Sequence, residues 1–286
     1  MLHLIRVKLN SKKLMMDTEV TILLPALREG ETAPKKRKVL WLLHGAGNDD
    51  TEWLYNTHMP DYMSERDVIV VCPSAQCSDY GVWPDYGKGY DFPAYFFGEL
   101  MPMVAGFYGG SDRREDNFIA GMSMGGYGAL ALGLLHPEKF AGIAGLGSSM
   151  REAEYLEPYV DMTGAQFKKF AMAHKTMFRT EYGDPKVGIK DKEINVIAKY
   201  PTVQDFYDSF ECMYRRFPEK LAEGNLPPIY FFVGTEDTFC EPQRRFKAYA
   251  DLLGAKNVRF DFEPGYGHTD RAWDLGLQRT LEFFGL

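Results

Sequence analysis

The sequence predicts an α/β protein: a mostly parallel eight-stranded sheet with helices on both faces. Three observations carry this expectation. Eight short apolar runs bounded by turn residues read as strands, at about 3–9, 17–24, 38–43, 68–72, 117–122, 140–147, 229–233 and 257–262. From residue 38 onward strands and helical patterns alternate, which implies βαβ units and parallel pairing. The first two runs are separated by only Asn10-Ser11-Lys12-Lys13, which suits an antiparallel, hairpin-like start.

The clearest helical patterns cover 124–135, 241–253 and 270–284. A further stretch at 91–105 also reads as helix, with Pro93 and Pro102 limiting its length. The connection 148–228 is 81 residues long, where one helix and two short loops would suffice. Helical candidates there lie near 151–157, 165–179, 190–198 and 203–216. This connection reads as a crossover helix plus an inserted helical cap at about 150–226, within a single domain spanning 1–286. A second unusual stretch is 80–97, in which eight of 18 residues are aromatic against 14% of the chain.

Charge and cysteine content exclude several function classes. The chain carries 33 basic and 40 acidic side chains, a net charge of −7. No basic excess exists to neutralise phosphates or to hold a polybasic membrane surface, so neither nucleic acid nor membrane is expected as a partner. The same balance favours neutral over polyanionic substrates. Four cysteines, Cys72, Cys77, Cys212 and Cys240, are too few and too scattered for a disulfide scaffold. Cys72 and Cys77 have no second pair at zinc-site spacing, so no metal or other cofactor is expected. No apolar run approaches the roughly 18 residues of a membrane helix. The opening MLHLIRVKLNSKKL lacks the apolar core of an export signal, and with free thiols this gives a cytoplasmic expectation.

Gly121-Met122-Ser123-Met124-Gly125 follows the strand run Asn117–Ala120 and precedes a small-residue helix start at Gly126–Leu132. Strand, sharp turn and helix form the context in which G-x-S-x-G presents a nucleophilic serine. The glycines remove side chains that would clash with strand and helix. The helix N-terminus places N–H groups beside a developing oxyanion.

A serine hydroxyl needs a base. Of the six histidines, His268 lies in the loop between the last strand and last helix, at the carboxyl edge of the sheet. The base needs an acid to fix its tautomer. Asp237 follows the strand Ile229–Val233, with Glu236 and then Asp270 as alternatives. The order Ser123, Asp237, His268 is that of the α/β-hydrolase fold. The expected oxyanion donors are the N–H of Met124 and one from the loop His44-Gly45-Ala46-Gly47, with Ala46 first and Gly47 next. His44 reads as an orienting residue whose ring braces this loop rather than as a second base, and it is placed among the substrate-binding residues. Trp83 and Tyr90 are the expected substrate-wall aromatics, suited to apolar or sugar-stacking contacts.

The run LLHGAGND, the elbow GMSMGGYGAL, the strand-end GTED and the closing GYGH together resemble the esterase D / putative esterase family, over about residues 17–284. The family includes tributyrin esterases, S-formylglutathione hydrolases, feruloyl and acetyl-xylan esterases, and mycolyltransferases. The resemblance implies Ser123, Asp237 and His268 as catalytic triad of a metal-independent carboxylic-ester hydrolase. The expected substrate is a small-molecule or saccharide ester, of short-chain, acetyl or feruloyl type. A formylglutathione thioesterase, an acyltransferase or a peptidase are alternatives on the same triad, and a non-catalytic binding protein is a distant one. Ala46-Gly47-Asn48 stands where formylglutathione hydrolases carry Leu-Thr-Cys, which argues against that substrate. Acyl preference and homo-oligomer formation stay open at this stage.

Overall fold

Each apolar run becomes a strand because a βαβ sheet buries both of its faces. The computed structural model describes residues 1–27, 36–151, 154–178 and 189–286. Its strands are β1 (Leu2–Ser11), β2 (Met16–Pro25), β3 (Lys38–Leu43), β4 (Val68–Pro73), β5 (Asn117–Met122), β6 (Gly142–Leu146), β7 (Ile229–Gly234) and β8 (Val258–Glu263). They form one sheet in the order β1-β2-β4-β3-β5-β6-β7-β8. β2 pairs antiparallel with β1 and β4, and every later pairing is parallel. All eight expected strands are present.

Side chains alternate between two cores with the period of a strand. Val39, Trp41 and Leu43 enter one core with Ile119 and Phe231. Leu40 and Leu42 enter the other with Ala120, Met122 and Phe232. Helices α1 (Glu52–Asn56) and α2 (Met59–Met63) follow β3, and α3 (Phe92–Tyr95) and α4 (Met101–Phe107) follow β4. Helix α5 (Met124–Leu135) follows β5. After β6 come α6 (Gly164–Ala173), α7 (Asp191–Ala198), α8 (Val203–Tyr207) and α9 (Met213–Ala222). Helix α10 (Cys240–Leu252) follows β7, and α11 (Asp270–Phe284) closes the chain. Helices α5, α9 and α10 cover the first face through Leu130, Phe217 and Phe246. Helices α1, α2 and α11 cover the second through Trp53, Met59 and Leu277.

Four readings change. α1 and α2 were not anticipated, because little more than one turn each is too short to show a repeating pattern. The expected helix at 91–105 is interrupted by a π turn at Phe96–Leu100. Pro93 falls in the first turn of α3, where a missing N–H costs nothing, whereas Pro102 falls just after the π turn, which runs without a break into α4. The expected helix at 203–216 is two helices, and the second belongs elsewhere: Met213, Tyr214 and Phe217 of α9 pack into the sheet core. Phe167, Ile194, Val203 and Phe206 instead form a separate core within the long connection. The reading of 151–157 as helix falls partly on 152–153, outside the described residues, and Glu154–Tyr159 forms a 3-10 helix. Among the described residues no helix is long and apolar enough to cross a membrane.

The contact between α5 and the aromatic stretch is tight. A Cβ on Gly128 would stand 2.3 Å from the buried Tyr80 ring. Alanine would add up to about 1 kcal/mol of helix propensity, but forcing Tyr80 aside costs about 1–3 kcal/mol. Gly128→Ala is therefore expected to lower stability by about 1 kcal/mol in denaturant unfolding, by the difference of those two effects. Equal or greater stability would show that the ring has room to give.

Candidate active site

The carboxyl ends of β5, β7 and β8 point the same way, because the strands are parallel. Loops from these ends therefore meet on one edge of the sheet. Ser123 sits at the β5–α5 junction with φ +53° and ψ −117°, a backbone state costing about 1–3 kcal/mol for a non-glycine residue. The junction is held by Ser123 N–H donating to Leu146 O at 2.8 Å and Tyr127 N–H donating to Ser123 O at 3.1 Å. The flanking glycines are required by contact. A Cβ on Gly121 would lie 2.2 Å from Gly125 O, and one on Gly125 would lie 2.2 Å from Leu43 O.

The loops after β7 and β8 are tied to each other. Thr235 N–H donates to Glu263 O, Glu236 N–H to Tyr266 O, and Gly265 N–H to Thr235 Oγ1, at 2.9, 3.0 and 3.1 Å. These bonds bring Asp237 and His268 together. His268 Nδ1 lies 2.8 Å from Asp237 Oδ2, and His268 Nε2 lies 2.9 Å from Ser123 Oγ. A carboxylate only accepts, so Nδ1 carries the proton and Nε2 is left to accept from the serine hydroxyl. Asp237 Oδ1 accepts from Phe239 N–H at 2.8 Å, so both oxygens are engaged and the carboxylate cannot turn away. The Asp237 side chain is 1% exposed and that of His268 29%. Trp273 and Phe239 flank the imidazole, with ring centroids at 5.0 and 5.2 Å. The two alternative acids, Glu236 and Asp270, are exposed.

A cavity of about 170 Å³ opens beside Ser123, lined by Ala46, Met124, Tyr127, Arg151 and Phe239 among others. Met124 is the first residue of α5, where N–H groups have no intrahelical acceptor. Ala46 faces the same cavity. Gly47 does not: with φ +85° it turns toward a different groove behind the loop.

The Ala46 loop is braced from several sides. His44 is 1% exposed, and its Nδ1 lies 2.7 Å from Gly45 O while Nε2 accepts from Ala75 N–H at 2.9 Å. Burial holds its pKa below the usual value, which favours this neutral form. With both nitrogens bonded to backbone, His44 has none to offer a substrate; its expected place among substrate-binding residues gives way to bracing alone. Tyr80 Oη donates to His44 O at 2.8 Å, and Trp53 Nε1 donates to Leu43 O at 3.0 Å. Glu52 adds the tightest brace. Its carboxylate accepts from Gly45 N–H at 2.5 Å and from the Asn48 side-chain amide. Desolvation raises the Glu52 pKa, so these bonds oppose a burial cost. Nothing in the residue pattern marked Glu52, because the short helix that carries it was itself invisible.

The aromatic stretch divides. Trp83 lines a larger cavity of about 740 Å³ that shares Ala46, Asp79 and Lys192 with the Ser123 cavity. Tyr90 is 3% exposed and donates from Oη to Ala75 O at 3.0 Å. It borders neither the Ser123 cavity nor the Trp83 cavity but a slot that adjoins the latter through Cys77 and Trp83, so its expected substrate contact is replaced by support of the Ala75 loop. Among the described residues no cluster of His, Cys, Asp and Glu is arranged to hold a metal ion.

Comparison with known proteins places this geometry in a family. The profile described as Putative esterase matches residues 11–185, and one described as Serine aminopeptidase, S33, matches residues 106–269. An acetyl esterase of Caldicellulosiruptor saccharolyticus is 26% identical over 289 residues, covering 98% of this chain and 97% of that protein. The crystal structure of the S-formylglutathione hydrolase FrmB from Staphylococcus aureus superposes with a TM-score of 0.75 at 23% identity, over 99% of both chains. A ferulic acid esterase superposes at 0.72 and 22% identity, over 99% of this chain and 97% of that one. The chain has the α/β-hydrolase fold and belongs to the Putative esterase family.

Proposed function

We propose that the protein is a serine carboxylesterase acting on short-chain esters, including acetyl groups carried on small alcohols or saccharides. The carrying observation is the relay Asp237–His268–Ser123, with 2.8 and 2.9 Å contacts, opening on a small cavity. Ser123 Oγ attacks the ester carbonyl as His268 Nε2 takes its proton. The N–H groups of Met124 and Ala46 hold the oxyanion. The C–O bond to the alcohol breaks, and the proton on Nε2 goes to the leaving oxygen. Water, deprotonated by the same nitrogen, attacks the acyl-enzyme and releases the acid. Asp237 keeps the ring in the required tautomer and stabilises the transient imidazolium.

The 170 Å³ cavity supports a short acyl group, and the Trp83 cavity beyond it offers a flat aromatic face to the alcohol portion. The residues of the long connection that line these cavities act in this reading as a cap. The acetyl esterase relative, which aligns over nearly the whole chain, supports the same class. Four unpaired cysteines, Cys77 among them exposed, support a reducing, cytoplasmic setting.

Two sets of variants test the assignment. Ser123→Ala is expected to lower kcat on p-nitrophenyl acetate by about 10⁶-fold and Asp237→Asn by about 10⁴-fold, with the circular dichroism spectrum unchanged. Retention of activity in Ser123→Ala would remove the serine from the mechanism. Glu52→Gln tests the brace behind Ala46. An amide accepts at one atom only, so it loses one of the two loop bonds and turns an N–H toward the other donor. The expected result is a fall in kcat of about 10- to 100-fold, below the cost of deleting an oxyanion donor outright, with KM little changed. A rise in KM alone would mean that Glu52 shapes substrate binding instead.

A further inference from the structure

Helix α11 approaches the relay from the second face of the sheet. Its Gly276 is pressed against two strands: a Cβ there would lie 2.6 Å from Leu146 Cδ2 and 2.8 Å from Phe232 Cδ1. Trp273, three residues earlier, lies on the same helix face and so beside the ends of β6 and β7. The first turn of α11 is fixed by Trp273 N–H donating to Thr269 O at 3.2 Å. Asp274 anchors it further, accepting from His58 N–H and from Tyr62 Oη at 2.7 Å each. The Trp273 ring stands at 89° to the His268 imidazole, with centroids 5.0 Å apart. Gly147, just past β6, completes the arrangement. It has φ +54°, and its N–H donates to Phe232 O at 2.7 Å. A Cβ on it would lie 2.9 Å from Asp237 Oδ2 and 3.3 Å from both His268 Nδ1 and Trp273 Nε1. The indole nitrogen is therefore separated from the Asp237–His268 bond by a bare glycine. It is buried, and among the described residues it has no acceptor of its own.

The relay needs such support. Once Ser123 Oγ is bonded to the acyl carbon, the Nδ1–H bond to Asp237 alone ties the imidazole, and a ring held at one atom can swing. A swing of about 1 Å at Nε2 can cost about 100-fold in rate. A perpendicular indole on one side, with Phe239 also packed on the imidazole, restricts that motion. The edge of an aromatic ring is its positive side, and the indole N–H is a donor only. Buried beside Asp237 Oδ2, it attracts the carboxylate charge in a low-dielectric setting and keeps that oxygen on its side of the relay. Resting on the esterase reading above, we infer that Trp273 is a positioning residue of the triad. Its ring sets the plane of the imidazole, its N–H edge steadies the Asp237 carboxylate, and Gly147 stays bare to leave room for both.

The test separates ring from N–H. Trp273→Phe keeps an aromatic ring and removes the donor, and Trp273→Leu removes both. On p-nitrophenyl acetate, Trp273→Phe is expected to lower kcat by about threefold, the effect of one modest polar contact. Trp273→Leu is expected to lower it by about 10- to 100-fold. KM should stay within about twofold in both, since neither change touches the substrate. The far-downfield proton NMR signal of His268 Nδ1–H is read in parallel and is expected to move in Trp273→Phe. Folded Trp273→Leu with unchanged kcat, a loss confined to KM, or a Phe variant no better than the Leu variant would overturn the inference. Should Trp273→Leu fail to fold, Trp273→Phe decides: an unchanged kcat with an unmoved Nδ1–H signal overturns it. Inactivity of the unaltered protein on every ester would overturn the esterase reading instead, while the Nδ1–H signal still tests the placement of Trp273.

Discussion

The structure depends first on one backbone constraint: Ser123 is held at positive φ between a buried strand and a buried helix. A serine in that state would relax if its surroundings allowed. They do not, because β5 is clamped between β3 and β6 and α5 lies against the first core. The close approach of Gly125 to Leu43 O fixes α5 against the end of β3, from which the Ala46 loop begins. The same constraint therefore sets both the position of the hydroxyl and its distance from the loop proposed to supply an N–H to the oxyanion. The sheet stabilises this junction, and the reactive geometry follows from it.

The second layer is polar and buried. Loops have no ladder to fix them, so each loop at this edge is fixed by buried donors and acceptors. His44 joins the Ala46 loop to Ala75, Tyr80 joins it to the aromatic stretch, and Glu52 joins it to the helix that follows. Breaking one such bond leaves an unsatisfied buried group, which makes these contacts costly to lose. The Asp79–Arg151–Glu211–Lys199 network continues this layer into the long connection. One set of buried charges thus ties the connection to the loops beside the nucleophile.

The fold was legible because strand runs such as Val68–Cys72 and Ile229–Val233 are apolar throughout, a pattern that only a doubly covered sheet needs. Ser123, Asp237 and His268 were legible because each stands just past a strand end, where a parallel sheet must gather its loops. Glu52, Asp79, Arg151, Lys192 and Glu211 were not. The last four pair between segments far apart in the chain, which no local spacing records, while Glu52 pairs with nearby Gly45 and Asn48 from a helix too short to show a pattern. Tyr90 misled for the opposite reason: an aromatic side chain near a site reads alike whether it faces the substrate or, as here, supports a loop from beneath.

The most direct test of the central claim is covalent. A fluorophosphonate reacts with a serine only where a base activates it and donors hold the developing phosphoryl oxyanion. Incubation of the native protein with the probe, followed by intact-mass and peptide mass spectrometry, should show one adduct located on Ser123. Absence of an adduct, or an adduct on another residue with Ser123 unmodified, would contradict the account.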